Sequence, residues 1–288
     1  MNIACILLLA AALPLRAAGW EDDHKWKLDE KETIRRTFDT GAAGRKLLVD
    51  NVDGYVHVTG YSGSQVQVTI EKRLYAESAE TMAEAKRAVK MDFSQQGNFV
   101  RLYEDGPFRN SDGGTNYRGD RYYGYRVAFD IDVLVPSDTE LIVKTMNQGD
   151  IAVRKTTGDY QINGLNGGIE MEDIAGAGTV HTLNGKVKVS YNRNPTKPSE
   201  YKTLNGSVDI YFQGDLNADL TFKKLNGGIY TDFEVAALPA KLAAVENRNG
   251  KFVYRSGGGR MSGRAGKGGP ALSFDTLNGN IRLHTAPN

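Results

Sequence analysis

From Thr33 onward, apolar and polar residues alternate in short runs separated by glycine-bearing turns, a pattern that predicts strands. Residues 47–49, 55–58 and 66–70 form such runs, bounded by Asp53-Gly54 and Ser62-Gly63-Ser64. Residues 99–103 and 127–135 continue the pattern, and Pro136 ends it. One window differs. Over 78–91, Met82, Ala85, Ala88 and Val89 share a helical stripe, and Ser78 stands where an N-cap belongs.

A second pattern overlies the first. Leu-Asn-Gly occurs at 165–167, 183–185, 204–206, 225–227 and 277–279, with a variant Arg248-Asn249-Gly250 and a first copy, Met146-Asn147-Gln148-Gly149, that carries one extra residue. The asparagines at 147, 166, 184, 205 and 226 are 18 to 21 residues apart, and the interval then widens to 23 and 29. Alternating apolar pairs follow the glycines: Ile169 and Met171, Val187 and Val189, Val208 and Ile210, Phe252 and Tyr254, Ile281 and Leu283. At the copy near 226, Ile229 keeps the first site and Thr231 weakens the second. Two short strands and two turns in about 20 residues make one coil of a repeat stack.

The expected fold is therefore all-β: a single-stranded parallel β-helix, or β-solenoid, taken as right-handed, with a β-rich N-terminal cap carrying one α-helix. In this reading the leucines before asparagine form one inner apolar column and the Ile/Val sites form another. Asn166, Asn184, Asn205, Asn226, Asn249 and Asn278 make a structural corner, their amides bonded along the stack as in cross-β ladders. The glycine serves a corner that needs positive φ. The rival is a series of hairpins, for which Asn-Gly is also the strongest short signal. The neighbours of Asn184 separate the two: Asn166 and Asn205 in a stack, Thr182 and Val187 in a hairpin.

The organisation expected along the chain is a signal peptide (1–19), a charged flexible leader (20–32), the cap (33–135) with a Gly/Tyr/Arg-rich insertion at 105–126, and the repeats (136–288) with a basic glycine-rich loop at 255–270. The apolar run from Ile3 to Leu13, Pro14 and the small residues Ala17, Ala18 and Gly19 carry the export reading. A run of about 11 residues is too short to span a bilayer, so no transmembrane anchor is expected after cleavage. Cys5 is the single cysteine, and cleavage leaves none for disulfide or thiolate chemistry. With 36 basic and 35 acidic residues, the chain lacks the basic excess of a nucleic-acid binder, so none is expected as partner.

Candidate chemistry is sparse. His24, His57, His181 and His284 lack zinc spacing, and no metal or cofactor is expected. Arg264-Ala-Gly-Lys-Gly268 fails the phosphate-loop pattern, and Ser199-Glu-Tyr-Lys202 lacks the helix that a Ser-x-x-Lys nucleophile needs. Asp150, Glu170, Glu172, Asp173, Asp209, Asp232 and Asp275 are the carboxylates a carbohydrate-active site would draw on. Glu170, Lys188, Asp209, Tyr230, Phe252 and Arg282 are expected in one mixed outward column, which reads as solvated pairing, so no catalytic residue is assigned. The insertion offers Tyr117, Tyr122, Tyr123 and Tyr125 as aromatic platforms, with Arg118, Arg121 and Arg126 as partners for acids. Tyr117, Arg118, Arg121, Tyr122, Tyr123 and Tyr125 are the candidate ligand-binding residues.

The run VDNVDGYVHVTGY, the single helix, the stretch VLVPSDTELIVKT and the LNG-x-[IV] repeats resemble, in that order, the bacterial putative adhesin family of unknown function with β-strand repeats (DUF4097-like). The resemblance covers residues 45–285. It implies an exported or envelope-associated β-solenoid without established catalytic residues. The resulting expectation is a non-enzymatic, adhesin-like binding or envelope-structural module in the periplasm, on the cell surface or secreted. Its partner would be a surface glycan, a cell-wall component or a protein. The alternative is a β-helix polysaccharide lyase or hydrolase.

Overall fold

The structure is a computed structural model describing residues 26–110, 114–115, 122–147, 149–214, 216–238, 246–248, 251–253 and 260–287, with backbone alone at 246–248 and 251–253. The expected signal peptide and the 20–25 part of the leader lie outside these residues.

The N-terminal part comprises β1 (Leu28–Asp39), β2 (Lys46–Asp50), β3 (Val56–Tyr61), β4 (Gln65–Ala76), α1 (Ala79–Ala88), β5 (Lys90–Gln96), β6 (Phe99–Asp105) and β7 (Tyr125–Pro136). The repeats then supply pairs: β8 (Glu140–Thr145) with β9 (Ile151–Arg154), β10 (Tyr160–Gly164) with β11 (Ile169–Ile174), and β12 (Gly178–Asn184) with β13 (Val187–Tyr191). Next come β14 (Ser199–Asn205) with β15 (Val208–Phe212) and β16 (Ala218–Asn226) with β17 (Ile229–Thr231). After β18 (Val235–Ala237), β19 (Glu246–Arg248), β20 (Lys251–Val253) and β21 (Arg260–Ala265), the chain ends on β22 (Ala271–Asn278) and β23 (Ile281–Thr285).

Among the described residues the protein is all-β with one helix, and most of its strands form two large mixed sheets. The first runs β1-β4-β7-β3-β9-β11-β13-β15-β23-β17 and the second β18-β21-β16-β22-β14-β12-β10-β8-β2-β6-β5. Alternating side chains of both sheets, among them Val153, Ile162, Val180, Val189, Ile210 and Leu283, are fully or almost fully buried in one core. Within it, Tyr201, Phe274 and Phe222 stack in sequence at 5.3 and 5.4 Å. The buried hydroxyls of Tyr160, Tyr191 and Tyr201 bond in a chain, so no phenol there is left unpaired.

Three features depart from the single parallel β-helix expected. Antiparallel pairs close both sheets: β1 with β4 and β4 with β7, β5 with β6, and β16 and β18 with β21. Strand order also departs from chain order. The last copy, β22 and β23, lies between β14/β15 and β16/β17, with Asn278 in register with both Asn205 and Asn226. Side-chain composition accounts for this placement. Ile281 and Leu283 are both fully buried, whereas Ile229 is half-buried and Thr231 exposed, so the copy with the weaker inward pair takes the end position.

The third departure is the variant copy around 249. β19 and β20 pair antiparallel as a separate two-stranded sheet, with Arg248 opposite Lys251, which is hairpin geometry. This copy adds no strand to the large sheets. In the cap, β1 begins at Leu28, inside the stretch expected to be a flexible leader, and the charged β1 forms an exposed sheet edge. Lysines, arginines and acids on such an edge oppose pairing with another chain. The helix is shorter than expected, spanning Ala79–Ala88, with Ser78 as N-cap paired reciprocally to Thr81. Within the 255–270 loop, β21 is an ordered strand paired to β16.

Candidate functional site

The Leu-Asn-Gly corner has a geometry that reverses part of the reading from sequence. The leucines are outside: Leu183 is 39% exposed, Leu204 36%, Leu277 37% and Leu225 66%. At three of these corners the inward residue is the threonine before the leucine, since Thr182, Thr203 and Thr276 are buried, whereas Lys224 precedes Leu225. Strand parity dictates this. With Val180 facing in, Thr182 also faces in and Leu183 faces out. Each threonine hydroxyl donates to the glycine carbonyl of the neighbouring repeat: Thr182 to Gly167 at 2.9 Å, Thr203 to Gly185 at 2.8 Å and Thr276 to Gly206 at 3.0 Å.

The asparagines form a continuous side-chain ladder. Asn184 donates to Asn166 at 2.8 Å, and Asn205 to Asn184, Asn278 to Asn205 and Asn226 to Asn278, each at 2.7 Å. Asn184 thus has Asn166 and Asn205 as its neighbours. Asn249 lies outside the described residues. The glycines are required by close approach more than by backbone angle, because of the corner glycines only Gly54 and Gly227 have positive φ. A Cβ on Gly185 would lie 2.1 Å from the Gly167 carbonyl oxygen, and one on Gly206 2.0 Å from that of Gly185.

Outward columns of the first sheet are ionic. Glu170, Lys188, Asp209, Arg282 and Tyr230 are in register across β11, β13, β15, β23 and β17, whereas Phe252, expected in the same column, lies on β20 in the separate two-stranded sheet. Lys188 bonds Glu170 at 2.7 Å, and Arg282 meets Asp209 at 3.1 Å. Against a desolvation that would raise it, hydrogen bonds from Lys186, Ser207 and Arg282 hold the Asp209 carboxyl below its ordinary range. The other carboxylates singled out from sequence are also engaged. Glu172 pairs with Arg154, Asp275 with Lys223 and Asp232 with His284, while Asp150 and Asp173 accept from Gly168 N and Asn192 Nδ2. Among the described residues no group of three His, Cys, Asp or Glu side chains converges as a metal site.

The insertion at 105–126 is described at its base. Tyr117, Arg118 and Arg121 lie outside the described residues. Tyr122 is exposed, and its hydroxyl bonds Glu77 at 2.5 Å. Tyr123 packs on Tyr125 with ring centroids 5.5 Å apart, and Tyr125 is buried, its hydroxyl pushed up to about 12 by burial. Tyr125 therefore offers no open platform.

Beneath it sits a polar cluster of which the sequence signals one member, Arg126, as a partner for acids. Arg126 forks onto Asp53 at 2.8 and 2.9 Å, and Arg109 reaches Asp50 at 2.9 Å while its guanidinium lies 4.2 Å from the Tyr103 ring centroid. Glu104 is fully buried, with Oε2 accepting from the amides of Val52 and Asp53 at 2.5 and 3.2 Å. Burial pushes its carboxyl up to about 8. Glu104 Oε1 and Asn51 Oδ1 are buried and have no hydrogen-bond partner among the described residues.

No family model matches the chain, and no curated protein does. Among solved structures, a putative cell adhesion protein from Clostridium sporogenes is similar over 89% of this chain and 100% of its own, at 10% identity and a TM-score of 0.38. A putative adhesin from Bacteroides fragilis is similar over 88% and 97%, at 12% identity and a TM-score of 0.39. A putative lipid binding protein from Parabacteroides distasonis is similar over 89% and 95%, at 9% identity and a TM-score of 0.27. At these values the function has to be argued from the chain's own residues.

Proposed function

We propose that this chain is an exported, non-enzymatic binding module of the adhesin type, built as a two-sheet solenoid whose Leu-Asn-Gly corner is the recognition surface. The parallel ladders and the unbroken asparagine column support the solenoid reading. The single observation that carries the functional reading is the leucine row. The interior columns are buried almost completely, yet the same corner position holds a large aliphatic side chain copy after copy and leaves it a third or more exposed at Leu183, Leu204, Leu277 and Leu225. The row is smaller than the few hundred Å² at which exposed apolar surface is diagnostic by size alone, and it is the recurrence of an exposed leucine at one corner position that makes it a contact surface. The 105–126 insertion, anchored by Arg109 and Arg126, is assigned a selectivity role. Its candidate ligand-binding residues remain Tyr117, Arg118, Arg121, Tyr122 and Tyr123.

The test is to incubate the purified chain with a panel of polysaccharides, cell-wall sacculi and envelope membranes, measuring retention and the release of reducing ends or unsaturated sugars. Retention without turnover is expected, and it should weaken in the Leu183→Ser/Leu204→Ser/Leu277→Ser variant. Sustained release of sugar products would overturn the non-enzymatic reading. Undiminished retention of the variant on every surface would remove the corner from it.

A further inference from the structure

The partner chemistry of the leucine corner is encoded in how its flanking charges are arranged. Resting on the reading that this corner is a recognition surface, we propose that it docks on an anionic lipid surface, the leucine row entering the headgroup layer and the flanking lysines meeting lipid phosphates.

The row comprises Met146, Leu165, Leu183, Leu204, Leu277 and Leu225, placed side by side by the strand registers and corner hydrogen bonds. At about 4.8 Å per strand it runs roughly 24 Å, and it is one side chain, about 7 Å, wide. That area, on the order of 170 Å², is well short of the ~800 Å² per partner that a specific protein interface buries. A second copy of the chain is therefore a poor fit for the row. A fluid surface that wraps a narrow apolar ridge needs no such area.

The ion pairs beside the ridge share an asymmetry. In Lys186–Asp209 the lysine side chain is 53% exposed and the aspartate 4%. In Lys223–Asp275 the values are 54% and 20%, and in Lys144–Asp50 they are 47% and 17%. The cation is outermost in each pair and the carboxylate is sunk beneath it. Lys202, exposed and two residues before Leu204, has no acid partner among the described residues. Two exposed carboxylates lie nearby, Glu200, paired with His181, at 44%, and Asp150, which accepts from the Gly168 amide. The chain as a whole is near neutral, but this edge presents positive charge around aliphatic side chains. An apolar ridge flanked by lysines is the arrangement that anchors proteins at anionic bilayer interfaces.

The experiment is co-sedimentation of the full chain with vesicles of equal parts phosphatidylcholine and phosphatidylglycerol, against phosphatidylcholine alone, at low and high salt. The apolar run at 3–13 is common to all variants compared. Binding to the anionic vesicles is expected to weaken with salt. Lys144→Gln/Lys202→Gln/Lys223→Gln should reduce it by about fivefold per lysine. The leucine-to-serine triple variant should reduce it at least about tenfold. An independent readout, unaffected by whether that triple variant folds, is an environment-sensitive fluorophore on Leu204→Cys in a Cys5→Ser background. Its emission should shift to the blue on anionic vesicles. An unshifted emission, equal binding of wild type and lysine variant, or concentration-dependent dimerisation through the leucines without vesicle binding would each overturn the proposal. If the chain ignores vesicles but the leucine variant still loses retention on sacculi or glycans, the lipid assignment falls and the recognition surface stands. If the variant matches wild type on every surface, both fall.

Discussion

Glu104 ties the insertion to the turn at 51–54, and its protonation should be visible in stability. The folded state holds its proton up to about pH 8, against an ordinary value of 4.5, because burial disfavours the anion. Between those values the folded state binds more protons than the unfolded chain, so this contribution is complete below pH 4.5, declines as pH rises and is gone above pH 8. The slope is at most about 1.4 kcal/mol per pH unit. Glu104→Gln keeps the shape and cannot ionise. Denaturant unfolding at pH 5 and pH 9 should show the variant gaining on wild type at the higher pH, and equal pH dependence of the two would contradict the assignment. Another residue-scale prediction concerns Gly185, where a Cβ would meet the Gly167 carbonyl at 2.1 Å, whereas at Gly164 it meets only side chains, the nearest atom being Thr182 Oγ1 at 3.1 Å. Gly185→Ala should cost about 3 kcal/mol and Gly164→Ala about 1 or less, read as the shift in unfolding free energy. Similar costs at both sites would place the strain elsewhere.

At the scale of elements, the asparagine ladder behaves as one hydrogen-bonded column with a defined end. Asn205 donates to Asn184 and accepts from Asn278, whereas among the described residues the Asn226 side chain only donates to Asn278. Asn205→Ala should therefore cost about twice what Asn226→Ala costs, on the order of 1–2 kcal/mol against about 1. Equal costs in urea unfolding would show that the column is not coupled. Much of this element was legible in the chain. The period marked the copies, and the alternation at Val187 and Val189 or Val208 and Ile210 identified the buried pairs correctly. The leucines break the simple expectation because on these strands parity outranks hydrophobicity. Val180, Thr182 and Leu183 already fixed which side chain faces out, and the recurrence of threonine at 145, 182, 203 and 276 was the available signal for the inward hydroxyl column. The Glu104 cluster had no such signal, because its partners come from turns more than 50 residues apart that only the fold brings together.

For the molecule as a whole, the departure from chain order has a dynamic consequence. Chain ends ordinarily fray, yet β22 and β23 are paired on both sides within the sheets, and β17 is the edge strand. Amide exchange at Leu272, Phe274, Ile281 and Leu283 should be as slow as at Val180 and Val187, with Tyr230 and Thr231 exchanging much faster. Fast exchange across β22 and β23 would mean that the last copy is not inserted. No local rule could have revealed this insertion, because the preference of Ile281 and Leu283 for an interior position over Ile229 and Thr231 is a comparison between copies. The central claim is that the leucine row is presented for contact and is not required to hold the scaffold. Urea unfolding of Leu183→Ser/Leu204→Ser/Leu277→Ser tests it most directly. The account predicts a total loss below about 2 kcal/mol, in keeping with exposed positions. A loss above about 6 kcal/mol, as three buried leucines would give, would contradict it.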